Sequence, residues 1–165
     1  MADDQRGNAV VVQPDDGPSW WQPVPANGYS EVRLSPHNLP AVKGRLSSGI
    51  QVITPGCFIR EHQHEANEEI LFFFEGRGEV EVNGESHPIV PGTTCYLGPL
   101  NRHRIVNTGE SDLKMFWVLM PGGLEDFFAA IGRPRQPGEP APQPFPRPAN
   151  VEEIEARTVF VKVQE

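Results

Sequence analysis

Two cysteines in 165 residues leave nothing for a disulfide framework, and neither Cys57 nor Cys95 lies in a Cys-x-x-Cys pair. Both read as small buried hydrophobes. Positive charge is scarce as well: 14 Lys and Arg stand against 22 Asp and Glu, giving a formal net charge of −8. No basic cluster is available to follow a nucleic-acid backbone. No apolar run approaches the ~20 residues that span a bilayer, and the opening MADDQRGNAV lacks the basic and apolar regions of a secretion signal. The expectation is a cytoplasmic protein with neither nucleic acid nor membrane as a partner. A chain of this length makes one domain whose core needs no covalent or metal staple.

What the chain does have is a succession of short strand-like runs bounded by Gly, Pro and Asn. They are AVVVQ (9–13), YSEVRL (29–34), GIQVITPG (49–56) and CFIREHQH (57–64), then EEILFFFEG, GEVEVNGE, TTCYLG, HRIVN and DLKMFWVLM. Their even spacing predicts an all-β barrel or sandwich. Val80 and Val82 alternate with Glu79 and Glu81, and Asn83-Gly84 predicts a tight hairpin with one wet and one buried face. Leu124, Phe127, Phe128 and Ile131 have helical spacing, with Gly132 and Pro134 as the stop. From Pro134 to Pro148 seven of fifteen residues are proline, so this segment should run extended over the surface as a linker or lid. Asn150 and Glu153 are spaced as a capping box for a last helical turn, and TVFVKV (158–163) is placed to return as an edge strand. The chain thus divides into a disordered tail (1–8), a barrel with its following helix (9–132), and a proline-rich extended segment ending in a helical turn and edge strand (133–165).

The chemistry is concentrated in REHQHEANEEILFFFEG, Arg60 to Gly76. Residues two apart on a strand share a face, so His62 and His64 project together while Glu61, Gln63 and Glu65 point away. Beyond a turn at Ala66-Asn67, Glu68 or Glu69 opens a strand whose remainder, ILFFF, belongs in a core. A carboxylate at the dry end of such a strand needs a partner, because an unpaired buried charge is strongly unfavourable. A divalent cation would supply one.

The run Gly56, His62, His64, Glu69, Gly76 resembles the first motif of the cupin family, and that spacing selects Glu69 over Glu68. PGTTCYLGPLNRHRIVN is similar to the second motif and supplies His103 and Asn107, with Leu100 where the family pattern has glycine. The pattern covers roughly residues 45–132 and looks like the small bacterial monocupins related to quercetin dioxygenases. The resemblance implies a double-stranded β-helix, or jelly roll, in which His62, His64, Glu69 and His103 hold one metal. Three imidazoles and a carboxylate suit a divalent transition metal, Fe or Mn foremost, with Ni, Co or Zn as alternatives. Such an ion with one glutamate leaves the centre at about +1, which favours an anionic or enolisable small molecule. By the same resemblance Glu69 is the catalytic base, O2 a second substrate, and the assembly a homodimer.

Strand parity extends the site. Phe58 and Arg60 share the face of the histidine pair, Leu71 and Phe73 that of Glu69, and Ile105 and Asn107 that of His103, provided no bulge intervenes. Arg60 is placed either to grip a substrate carboxylate or to sit solvated at a strand edge. Met115 and Trp117 face inward, Trp117 as an aromatic wall or as core filling. His37 and His87 match no ligand position and read as surface residues. Trp20 and Trp21 cannot both face inward, so one should cover the barrel edge or a subunit contact. Three functions remain open: a dioxygenase, a non-redox isomerase, lyase or decarboxylase, and a binding protein without turnover.

Overall fold

The computed structural model describes residues 7–161. The barrel is built from β1 (Ser19–Trp21), β2 (Tyr29–Leu34), β3 (Ser47–Ile53), β4 (Phe58–His62), β5 (Glu68–Glu75) and β6 (Gly78–Val82). It continues with β7 (Glu85–Ile89), β8 (Thr94–Leu97), β9 (His103–Val106) and β10 (Leu113–Met120). Helix α1 (Leu124–Ile131), the two-residue strand β11 (Arg133–Pro134) and helix α2 (Val151–Ala156) follow. One antiparallel sheet runs β11-β1-β2-β3-β10-β5-β8 and a second runs β4-β9-β6-β7. This is the all-β jelly roll that the motifs imply, closed by a short helix. No helix among the described residues is long and apolar enough to cross a membrane.

Period-two patterning explains the core. Along β10, Leu113, Met115, Trp117 and Leu119 are buried while the residues between them are only partly covered. They join Leu71 and Phe73 from β5 with Val80 and Ile105 from the smaller sheet in one apolar cluster. The β6–β7 hairpin forms as its turn residues require, with Asn83 at φ 51° and Gly84 at φ 87° between the paired Val82 and Glu85. Cys57 and Cys95 are half-buried and pack against the core rather than within it.

Some expectations are met here and others are corrected. AVVVQ is not a strand, and Val11 stands 81% exposed. The edge it would need is taken, since β1 pairs with β2 and β11 covers β1. Trp20 packs on the core while Trp21 lies edge-on to Tyr29 at the sheet margin, beneath the Arg135 guanidinium. The proline-rich segment is extended but clasped: Phe145 is buried, its carbonyl accepts from Val24 N, and Arg133 stacks on its ring. Asn150 precedes α2 with φ −95° and ψ 26°, outside both the extended region usual for a cap and the helical region, and its side chain makes no cap hydrogen bond, so the capping box does not form. Of TVFVKV, the described part is a turn and a single bridge from Val161 to Gln63, and the remainder lies outside the described residues, as does most of the amino-terminal tail.

Gly49 lies opposite Trp117 in the β3–β10 pair. A Cβ there would stand 2.6 Å from Trp117 Cζ2 and 2.3 Å from the Glu31 carbonyl oxygen, both far inside contact distance. Gly49→Ala is therefore expected to cost about 1–3 kcal/mol through overpacking, measured by urea denaturation.

Candidate metal centre

His62 ends β4, His103 begins β9, and the two are cross-strand neighbours with ring centroids 4.0 Å apart. His64 follows two residues after β4, and Glu69 enters from the start of β5 between the buried Leu119 and Leu97 of the flanking strands. The ligand atoms of these four residues lie within 4.8 Å of one another. The loop preceding His103 is held by Leu100, whose N–H donates to the His64 carbonyl. Leu100 sits at φ 63°, the left-handed region that suits glycine. The loop shape is thus kept without the glycine.

Each ring nitrogen Nδ1 has a backbone acceptor: His62 donates to Arg60 O at 2.8 Å, His64 to Val159 O at 2.8 Å, and His103 to Asn101 O at 2.9 Å. A carbonyl oxygen can only accept, so each Nδ1 carries a hydrogen and each Nε2 of a neutral ring presents a lone pair. Those of His64 and His103 face the Glu69 carboxylate, and His62 belongs to the same cluster. His103 Nε2 lies 3.0 Å and His64 Nε2 3.6 Å from Glu69 Oε2. Even so, none of these three buried atoms has a well-aligned hydrogen-bond partner. Acceptors converging without a donor are what a cation satisfies, and the set of three imidazoles and one carboxylate suits a divalent metal.

Electrostatics agree. Burial opposes ionisation of Glu69, but the imidazoles of His103 and His64 outweigh it and hold its carboxyl well below the usual range. Burial, then repulsion from His103 and His64, keeps His62 well below 6.5 and so neutral. His103 is also pushed down by burial, yet the Glu69 carboxylate wins and raises it. Glu68, in contrast, is exposed.

A cavity of about 620 Å³ opens onto His62 and Glu69. Among the residues expected from parity, Phe58, Arg60, Ile105 and Met115 line it. Leu71 and Phe73 do not; they lie further along β5 inside the core. Trp117 is likewise core filling, packed over Gly49 and against Phe128. Asn107 holds a loop instead, donating to Ile53 O and Ser111 O and accepting from Gly109 N. Arg60 is half-exposed at the mouth and is bound to Glu155, whose Oε1 it shares with Arg147. A register shift between Ile59 and His62 breaks the parity of β4, so that Ile59 and Glu61 reach the cavity as well.

The remaining walls were not read from the sequence. Phe127 and Phe128 come from α1, Val151 from α2, and Phe160 from the chain after it. Gln51 also lines the cavity, and its signal in the sequence was a polar residue at the centre of the otherwise apolar run GIQVI. His37 and His87 are exposed, as expected, and His37 Nε2 pairs with Asp126 at 2.9 Å.

Replacing His103 with alanine should strip the metal and leave a folded barrel, whereas Glu68→Gln should change neither, as read by elemental analysis and circular dichroism. Because the Glu69 carboxylate raises the proton affinity of His103, protons compete with the metal for that ring, so metal affinity should rise with pH. An increase of up to about 10-fold per pH unit where His103 still titrates is expected in a competitive chelator titration.

Comparison with known proteins accords with this geometry. A cupin domain family model matches residues 49–119, from β3 to β10. Protein SchB of Streptomyces halstedii is 32% identical over 102 residues, covering 59% of this chain and 72% of that protein. Polyketide synthase CurC of Streptomyces cyaneus is 33% identical over 88 residues, 53% of this chain and 56% of that relative, so the chain spans little more than half its length. The crystal structure of a predicted oxalate decarboxylase from Thermotoga maritima superposes with a TM-score of 0.58 at 26% identity, covering 68% of this chain and 99% of the other. The family match over the barrel strands and the superposition on a solved barrel agree, and the chain belongs to the cupin family.

Proposed function

We propose that the chain is a metal-dependent dioxygenase acting on a small enolic or phenolic compound with O2. The observation that carries this reading is the setting of Glu69: an ionised carboxylate, 4% exposed, among three imidazoles at the edge of an apolar cavity. A bound divalent ion, Fe or Mn foremost, would supply Lewis acidity and, if redox-active, electron transfer with O2. His62, His64, Glu69 and His103 are the residues that would hold it. In this reading Glu69 accepts the hydroxyl proton of an enol or phenol as the substrate becomes an anion. Ile105, Met115, Phe127 and Phe128 exclude water around that anion and offer an aromatic ring apolar contact. A cavity of about 620 Å³ is larger than a two-carbon acid requires, and polyketide chemistry, named for one relative, is rich in enols and phenols.

A second reading, non-redox decarboxylation, lysis or isomerisation, is favoured by the similarity to a protein described as a predicted oxalate decarboxylase. The two readings part on oxygen. With flavonols, catechols, β-diketones and oxalate as substrates for metal-loaded protein, the first predicts O2 uptake only with an enolic or phenolic substrate and no product under strict anaerobiosis. Equal product without O2 selects the second reading, and full metal loading with no turnover selects a binding protein.

A further inference from the structure

His62 and His103 find their Nδ1 acceptors two residues back in the chain, in Arg60 and Asn101. His64 does not; its acceptor, Val159, is 95 residues away in sequence. The strap after α2 therefore reaches across the mouth of the barrel to complete the set. Thr158 Oγ1 donates to Ile154 O at 2.8 Å, closing the helix, and Val161 N donates to Gln63 O at 3.2 Å. Between these two anchors the Phe160 ring lies 5.3 Å from His62, 5.1 Å from His64 and 4.3 Å from Phe127, centroid to centroid. Gly123 leaves the room that this path needs, since a Cβ there would meet Val159 Cγ1 at 2.4 Å. The base of the strap is tied to the cavity mouth, where Glu155 binds both Arg60 and Arg147. The cupin model ends at residue 119, well short of all this.

We propose that the strap Thr158–Val161 is a positioning element of the metal centre: the Val159 carbonyl aims His64, and Phe160 holds that carbonyl in place and roofs the cavity beside it. Without this acceptor the His64 ring is free to turn, and its buried Nδ1–H loses its partner, so Nε2 is no longer directed at Glu69. The proposal rests on the metal centre and is independent of O2 chemistry.

Cobalt(II) is the probe, titrated into metal-free full-length protein against a chromophoric chelator, with melting followed in its presence and absence. Phe160→Ala should weaken Co(II) binding about 10-fold, and a chain ending at Arg157 should lose up to about 100-fold. Phe160→Leu should recover most of the affinity. In both weakened variants the rise in melting temperature caused by Co(II) should shrink. Unchanged affinity, with melting lowered equally in both states, would mean that the strap only packs, and the proposal fails. If the shortened chain does not fold, the Phe160 variants decide: equal affinity in Ala, Leu and wild type overturns it. A wild-type chain that binds no Co(II) overturns the metal centre itself, and the strap's role with it.

Discussion

The hydrogen bonds from Nδ1 of His62, His64 and His103 to the carbonyls of Arg60, Val159 and Asn101 govern what this barrel can do. They fix the tautomer and the orientation of three rings at once, leaving three lone pairs and one carboxylate facing each other in a dry place. Such a group is unstable by itself. Glu69 raises the affinity of His103 for a proton, and a metal ion would relieve the conflict more fully because it would satisfy all four residues together. The rest of the fold can be understood as the support this arrangement needs. β4 and β9 set the His62–His103 pair, β5 delivers Glu69 into an apolar frame, and a core independent of the site holds the strands apart.

Much of this was legible in the sequence because strand chemistry is local. The period of two put His62 and His64 on one side, and Asn83-Gly84 specified its hairpin directly. The choice of Glu69 over Glu68 came from motif spacing, and the structure shows its physical content: one is buried beside the histidines, the other exposed. What stayed hidden was non-local. A bulge in β4 altered which residues reach the cavity, and nothing in the local pattern of FIREH announces it. Walls supplied by α1, α2 and the strap depend on how those segments dock, which their own periodicity does not specify. The failure of AVVVQ has the same origin, since an apolar β-branched run makes a strand only where an edge is free to receive it.

Leu100 and Gly49 show opposite ways of accommodating constraint. At position 100 the loop keeps a left-handed backbone with a leucine, and the hydrogen bond to His64 O fixes it there. At position 49 no side chain fits, because the indole of Trp117 occupies the space. One position tolerates backbone strain next to the site, whereas the other admits no steric latitude beneath it.

The account stands on the claim that three Nε2 atoms and the Glu69 carboxylate converge on one ion. Anomalous diffraction from metal-loaded crystals, collected on either side of the metal's absorption edge, tests it most directly. It should give one peak per chain, with Nε2 of His62, His64 and His103 and a Glu69 oxygen each about 2.0–2.3 Å away. Absence of a peak in protein loaded with metal, or a peak bound through Nδ1 or without Glu69, would contradict it.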